Sequence, residues 1–173
     1  MFAPLDSCEV SVGMELELAK EALPENEAEA LHYWVNRFDY RKGGRELELE
    51  PWYIDGCIPL EATQDARHEL AAATYETLRE LTSSEGFVHF ADIQHEYVRF
   101  YPHRVDGLTF DDIFIDGETS GYIAADRTWG LVSFGWISPS SVCFFGEPLV
   151  SRLRARRPAL LVALLPINNL ATT

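Results

Sequence analysis

The sequence predicts an α+β fold: an antiparallel β-sheet of about five or six strands, mostly within residues 87–145, packed against two main helices. Three observations lead there. Apolar residues recur at helical spacing in two stretches before residue 82. From Phe87 to Phe145 the texture changes to short aromatic and β-branched runs separated by Gly, Asp, Pro and Ser, too closely spaced for the crossovers that parallel strands need. The 173 residues contain no internal repeat and no low-complexity linker, and 47% are hydrophobic, so residues 1–173 are expected to form a single domain with a substantial core.

Residues 1–24 read as an N-terminal acidic segment. The first helix begins near Glu25, after Pro24, with Ala28, Leu31, Val35 and Phe38 at helical spacing and Trp34 widening the stripe. Its early glutamates, and Arg41 and Lys42 before Gly43 and Gly44, complement the helix dipole. "RELELEPWYI" (45–54) alternates as a short edge strand marked by Pro51. A longer helix is expected over Gln64–Leu81, with Thr63 as N-cap, Asp65 in the first turn, and Leu70, Ala73, Tyr75, Leu78 and Leu81 as its apolar face. The strands follow as "FVHFADI", "YVRFYPH", "DIFI", "GYIAAD", "WGLVSFGWI" and "SVCFF", in which Trp129 is expected to pack in the core or on a sheet face. A short helix, Glu147–Arg156, follows Gly146. The tail 158–173 is expected to be poorly ordered, as a last apolar strand or a frayed end.

The formal net charge is −14. Phosphate neutralisation requires the opposite sign, so a nucleic-acid partner is not expected, whereas a basic protein is. Arg152, Arg154, Arg156 and Arg157 form a local basic cluster suited to the protein's own acidic surface or to a helix C-terminus. Cys8, Cys57 and Cys143 contain no CxxC pair and read as free thiols, two of them buried, in a reducing compartment. The first ten residues lack the basic and apolar regions of a signal peptide. "ALLVALLPI" is too short to span a bilayer. A cytoplasmic protein with no membrane partner is expected.

The densest set of chemistry-bearing residues is "FADIQHEYVRFYPH" (Phe90–His103), preceded by His89. Strand alternation places His95, Tyr97, Arg99, Tyr101 and His103 on one face, away from the core, opposite Glu96, Val98 and Phe100. A metal reading recruits His89, Asp92, His95 and His103, but the spacing is not that of a closed zinc site. An acid–base reading uses His95 oriented by Asp92 or Glu96, and lacks an identifiable nucleophile, since "SPSSV" is not a Gly-x-Ser-x-Gly elbow. A plain reading lets Gln94 and His95 bond backbone at a bend. A recognition reading takes Tyr97, Arg99, Tyr101 and Trp136, residue types enriched at interfaces. "DGLTFDD", with Asp116 and Glu118 beyond it, fits no EF-hand spacing and reads as an acidic turn. No cofactor or metal is expected.

Four blocks in order resemble the bacterial proteins grouped as domain of unknown function 2716: "WVNRFDYRKG" (34–43), "DIQHEYVRFYPH" (92–103), "GYIAADRTWGLVSFGW" (121–136) and "VCFFGEPLV" (142–150). That family's pattern has an Asp-Trp-Gln-His segment before an aromatic strand, a Gly-Asp-Tyr strand, a Phe-Gly-His-Pro-Trp turn, and a strand running into Phe-Gly-Glu and a helix. Here Ile93 stands in place of the Trp, Ser120 in place of the Asp, and "FGWISP" in place of the turn and its histidine. The resemblance implies the fold and a bacterial origin, and no agreed activity.

The candidate binding or active-site strip is therefore Asp92, His95, Tyr97, Arg99, Tyr101, His103 and Trp136. The functional expectation is a non-enzymatic acidic protein-binding module, an inhibitor or immunity protein against a basic bacterial toxin. The alternative is a small enzyme or ligand-binding domain that uses the His/Tyr/Arg strip on the sheet.

Overall fold

A computed structural model of the chain describes residues 16–36, 53–93, 96–115, 119–134 and 141–164. In chain order these form β1 (Lys20–Ala22), α1 (Glu25–Asn36), β2 (Tyr53–Cys57), α2 (Gln64–Leu81), β3 (Val88–Asp92) and β4 (Glu96–Phe100). A 3-10 turn (Pro102–Arg104) and the single helical turn α3 (Phe110–Ile113) precede β5 (Thr119–Ala124), β6 (Gly130–Phe134) and β7 (Ser141–Phe145). The helices α4 (Glu147–Arg156) and α5 (Ala159–Val162) follow. The α+β class holds, and the sheet has seven strands, all antiparallel, in the order β1-β4-β3-β5-β6-β7-β2. The two strands beyond the 87–145 region, β1 and β2, form the edges.

α2 follows from local sequence. The Thr63 side chain accepts from the Ala66 amide at 3.3 Å, Asp65 lies in the first turn, and Leu70, Ala71, Tyr75 and Leu78 are buried. Together with α4 and α5 it covers one sheet face, where Val88, Phe90, Val98, Phe100, Tyr122, Leu131, Val142 and Phe144 build the larger core. Trp129 is buried there too. The opposite face is covered in part by α1, whose Leu31 and Val35 pack on Ala91, Ile123, Val132, Phe134 and Phe145. β3 is consequently buried along its whole length and on both sides.

The succession of neighbouring strands is broken at β5, which pairs with β3 and not with β4. β4 and β5 thus run parallel with β3 between them, and the connecting chain, described over residues 101–115, makes the crossover that such a pair requires. The "DIFI" strand is corrected accordingly. Thr109 caps the α3 turn through a capping box, its hydroxyl accepting from the Asp112 amide while the Asp112 carboxylate accepts from the Thr109 amide. Phe110, Ile113 and Phe114 then enter the larger core. Tyr122 donates to the Asp112 carbonyl at 2.9 Å and fastens the crossover to the sheet. Burial raises this phenol's pKa far above its ordinary value, so it stays a donor.

Ala159–Val162 form α5, whose Leu160 and Leu161 are buried in the larger core. Residues 165–173 lie outside the described set, as do Phe38, Arg41, Lys42 and all of the expected "RELELEPWYI" strand up to residue 52. The Arg cluster takes both of its expected roles. Arg154 and Arg156 occupy the last turn of α4, and Arg156 pairs with Glu76 at 2.6 Å and with Glu80, tying α4 to α2. Arg152 lies 3.6 Å from Glu80. Cys57 and Cys143 are buried.

Gly146 enters α4 at φ +87°, where an added Cβ would run into the Thr128 carbonyl oxygen and Trp129. We expect Gly146→Ala to lower unfolding free energy by about 2–4 kcal/mol, read from the midpoint of urea denaturation. An unchanged midpoint would show that this strand-to-helix corner relaxes freely.

Candidate functional site

Tyr97 and Arg99, the strip residues described on the face of β4 that was expected to be exposed, do not face solvent. Alternation does place Tyr97 and Arg99 on one face of β4, but that face is the one α1 covers. The Tyr97 hydroxyl lies 2.5 Å from Nδ1 of His32 and donates, more weakly, to the Ile93 carbonyl at 3.4 Å. Burial, with a smaller contribution from the Asp92 charge, raises the Tyr97 pKa above its ordinary value. The Arg99 guanidinium donates to both carboxylate oxygens of Glu27, at 3.3 and 3.2 Å. The two polar side chains of the strip thus hold a helix, with Leu31 and Val35 supplying the apolar contact behind them.

Tyr101 belongs to the edge. Its hydroxyl donates to Glu21 of β1 at 2.7 Å, the Arg104 guanidinium donates to the same carboxylate at 3.0 Å, and that guanidinium lies 3.6 Å from the Tyr101 ring centroid. The hydrogen bonds from Tyr101 and Arg104 hold the Glu21 carboxyl below its ordinary pKa. His103 leaves the strip altogether. β4 ends at Phe100, Pro102 begins a 3-10 turn, and His103 Nε2 lies 3.1 Å from both the Arg79 and Thr82 carbonyls at the end of α2. His103 thus satisfies helix-terminal carbonyls, which normally lack partners within the helix.

Asp92 points to the opposite face, where register aligns it with Glu96, Ser120 and, beyond, Ser133. Asp92, Ser120 and Ser133 are buried, and the two serine hydroxyls lie 3.0 Å apart. Glu96 accepts from Lys20 of β1 at 2.5 Å, and the Lys20 ammonium lies 5.5 Å from the Phe90 ring centroid. Burial works against the Lys20 charge, yet the Glu96 and Glu17 carboxylates more than offset it and hold the pKa above its ordinary 10.5. The strand residues that border segments 94–95, 116–118 and 135–140 all lie at this end of the sheet. His95 and Trp136 belong to those segments and lie outside the described residues, as do Asp116 and Glu118.

Sequence reasoning missed the partners: Lys20, Glu21, Glu27, His32, Arg104 and the Ser120–Ser133 pair. The polar residues that flank the Leu31/Val35 stripe were visible on α1, but nothing local tied them to β4. Among the described residues, no group of three His, Cys, Asp or Glu side chains is placed to hold a metal ion. What the strip does chemically is fasten one layer to another by charge and hydrogen bonds.

The fold and these contacts define an acidic α+β protein built on an open antiparallel sheet, covered on one face by α2, α4 and α5 and in part on the other by α1. Residues 50–150 match the model of a family of proteins of unknown function, DUF2716, and the chain belongs to that family. Three of the four blocks that carry the resemblance fall inside the matched residues; "WVNRFDYRKG" lies before them, as do β1 and α1. No curated protein and no solved structure matches the chain.

His89 generates a pH prediction. It lies on the α1 side of β3, directly opposite Arg99, and its buried Nδ1 has no partner among the described residues. Burial lowers its pKa below the ordinary 6.5; the Glu27 charge opposes this, and Arg127 and Arg99 reinforce it. A lowered histidine pKa means that the unfolded chain binds the proton first. Stability is therefore full above about pH 6.5 and falls as the pH drops from there toward the folded-state value. Denaturation midpoints measured at successive pH values should decline more steeply below pH 6.5 in the wild type than in His89→Gln. Parallel curves would remove His89 from the acid response. Leu31→Ala, which empties the contact beneath α1, should cost about 2–5 kcal/mol in urea unfolding, with a small effect arguing that α1 is dispensable to the fold.

Proposed function

We propose that this protein is a non-enzymatic binding module that captures a basic protein, in the manner of an inhibitor or immunity protein in the cytoplasm. One observation carries the reading. Five cations of the sheet edge and of α4 are engaged by the protein's own acids: Lys20 by Glu17 and Glu96, Arg99 by Glu27, Arg104 by Glu21, Arg152 by Glu80, and Arg156 by Glu76 and Glu80. The surplus behind the −14 charge is thereby left to acids elsewhere on the chain. Exposed Glu25 and Glu29 on α1 are part of it, and Tyr33 of the same helix and Leu18 beside β1 are large apolar side chains at 68% and 70% exposure. An acidic field that speeds encounter, with a few aromatic and aliphatic anchors inside it, is the arrangement that basic partners select.

The placement of the strip favours this reading over a catalytic one. Tyr97 and Arg99 engage His32 and Glu27 of α1, where they position a helix.

The test is affinity capture of the tagged protein from its host's lysate, followed by association kinetics with the protein recovered. A stoichiometric basic partner is expected, with an association rate that falls at least ~10-fold between about 0.05 and 0.5 M salt. The double substitution Glu25→Lys/Glu29→Lys should slow association further. A partner of acidic or neutral character, or kinetics indifferent to salt and to the double substitution, would overturn the proposal.

A further inference from the structure

The crossover between β4 and β5 leaves a cavity of about 290 Å³ beneath its outer turn, lined by Leu16, Val105, Asp106, Gly107, Leu108, Thr109 and Asp112. Its composition is divided. Leu16, Val105 and Leu108 supply apolar contact, and Val105 and Leu108 are buried members of the larger core. Two carboxylates, Asp106 and Asp112, complete the lining. Asp112 uses Oδ2 to accept from the amide and the hydroxyl of Thr109, each at 2.7 Å, which fixes the side chain in place and leaves Oδ1 to accept from a ligand. Asp106 is exposed, and its carboxylate has no hydrogen bond or ion pair among the described residues.

Size and polarity restrict what can enter. The volume falls just under the ~300–1,000 Å³ of small-molecule and cofactor sites. It suits a single long side chain. An apolar wall beside two carboxylates matches a group with an aliphatic stem and a cationic head, the form of lysine and arginine, which bury their methylenes while keeping the charge at a polar rim. We propose that this cavity receives a lysine or arginine side chain of the basic partner, the stem lying on Leu16, Val105 and Leu108 and the head between Asp106 and Asp112. The inference rests on the binding reading above and adds to it a specific anchor point, separate from the acidic face of α1.

Gly107 supplies the test, because a Cβ built there meets nothing within 4 Å. Gly107→Leu therefore extends a side chain from the cavity wall without a clash at its base. The probes are the acetylated, amidated tripeptide Gly-Lys-Gly, its Arg counterpart, and the same peptide with norleucine, which keeps the stem and lacks the charge. Each is titrated into the full chain while amide shifts are followed by NMR. The Lys and Arg peptides should shift the Gly107, Leu108 and Thr109 amides saturably, with a dissociation constant on the order of 1 mM, and norleucine should bind at least ~10-fold more weakly. Gly107→Leu should abolish these shifts at an unchanged unfolding midpoint, and Asp106→Asn should weaken them several-fold in a variant that leaves the Asp112 capping box intact. Equal binding of the Lys and norleucine peptides, or saturable shifts that survive in both variants, would overturn the proposal. The two readings fail separately: partner capture that persists undiminished in Gly107→Leu removes the anchor and leaves the capture, whereas peptide binding with no basic partner recovered leaves the site and removes its assigned occupant.

Discussion

Everything else in this fold depends on β3 being buried on both faces. A strand in that position needs apolar cover front and back, and its sequence, Val88–His89–Phe90–Ala91–Asp92, supplies apolar residues to both sides and a polar residue to each. The front is met by Phe100, Tyr122 and the helices α2, α4 and α5, the back by α1. The need to keep β3 central also explains the crossover. With β4 on one side and β5 on the other, the chain between them has to traverse the sheet, and it does so by burying Val105, Leu108, Phe110, Ile113 and Phe114 in the front core. The cavity assigned to a cationic side chain is a consequence of that traverse, formed where the crossover approaches Leu16.

Polar residues inside a doubly covered sheet must find partners, and their solutions shape the molecule. Arg99 and Tyr97 reach α1; Lys20 and Glu96 close the edge between β1 and β4; Ser120 and Ser133 satisfy each other. These pairs join residues far apart in sequence, Arg99 and Glu27 being separated by 72 positions. Each adds modest stability alone, since partly exposed ion pairs are worth little, but together they fix which helix face meets which strand. On the back face, Nδ1 of His89, Nε of Arg99 and Oγ of Ser141 are buried without a partner among the described residues. Burial lowers the His89 pKa below its ordinary value, so protonating it costs stability.

The family match begins after α1, so the covering of the back face lies outside the residues that define the family. The strand ends that carry Asp92, Ser120 and Ser133 lie within it, at the end of the sheet toward which three of the resemblance's segments connect. The family region supplies β2 to β7 and the crossover, and the N-terminal elements supply β1 and the acids that engage Lys20, Arg99 and Arg104.

What the sequence determined by itself is local. The α2 boundaries and Thr63 cap, the α4 span after Gly146, the antiparallel strands of residues 87–145 and the facing of Tyr97 with Arg99 all follow from periods and caps that act within a few residues. "DIFI" was misread because an apolar alternation outweighed Thr109 and Asp112, whose three-residue spacing forms a capping box only when the turn closes. Tertiary structure alone decided that β5 pairs with β3, that β1 completes an edge, that His103 serves the end of α2, and that the polar strip faces a helix. Each of these is a choice among partners distant in the chain. It is settled by which apolar faces can be buried together, and no period in the sequence records that.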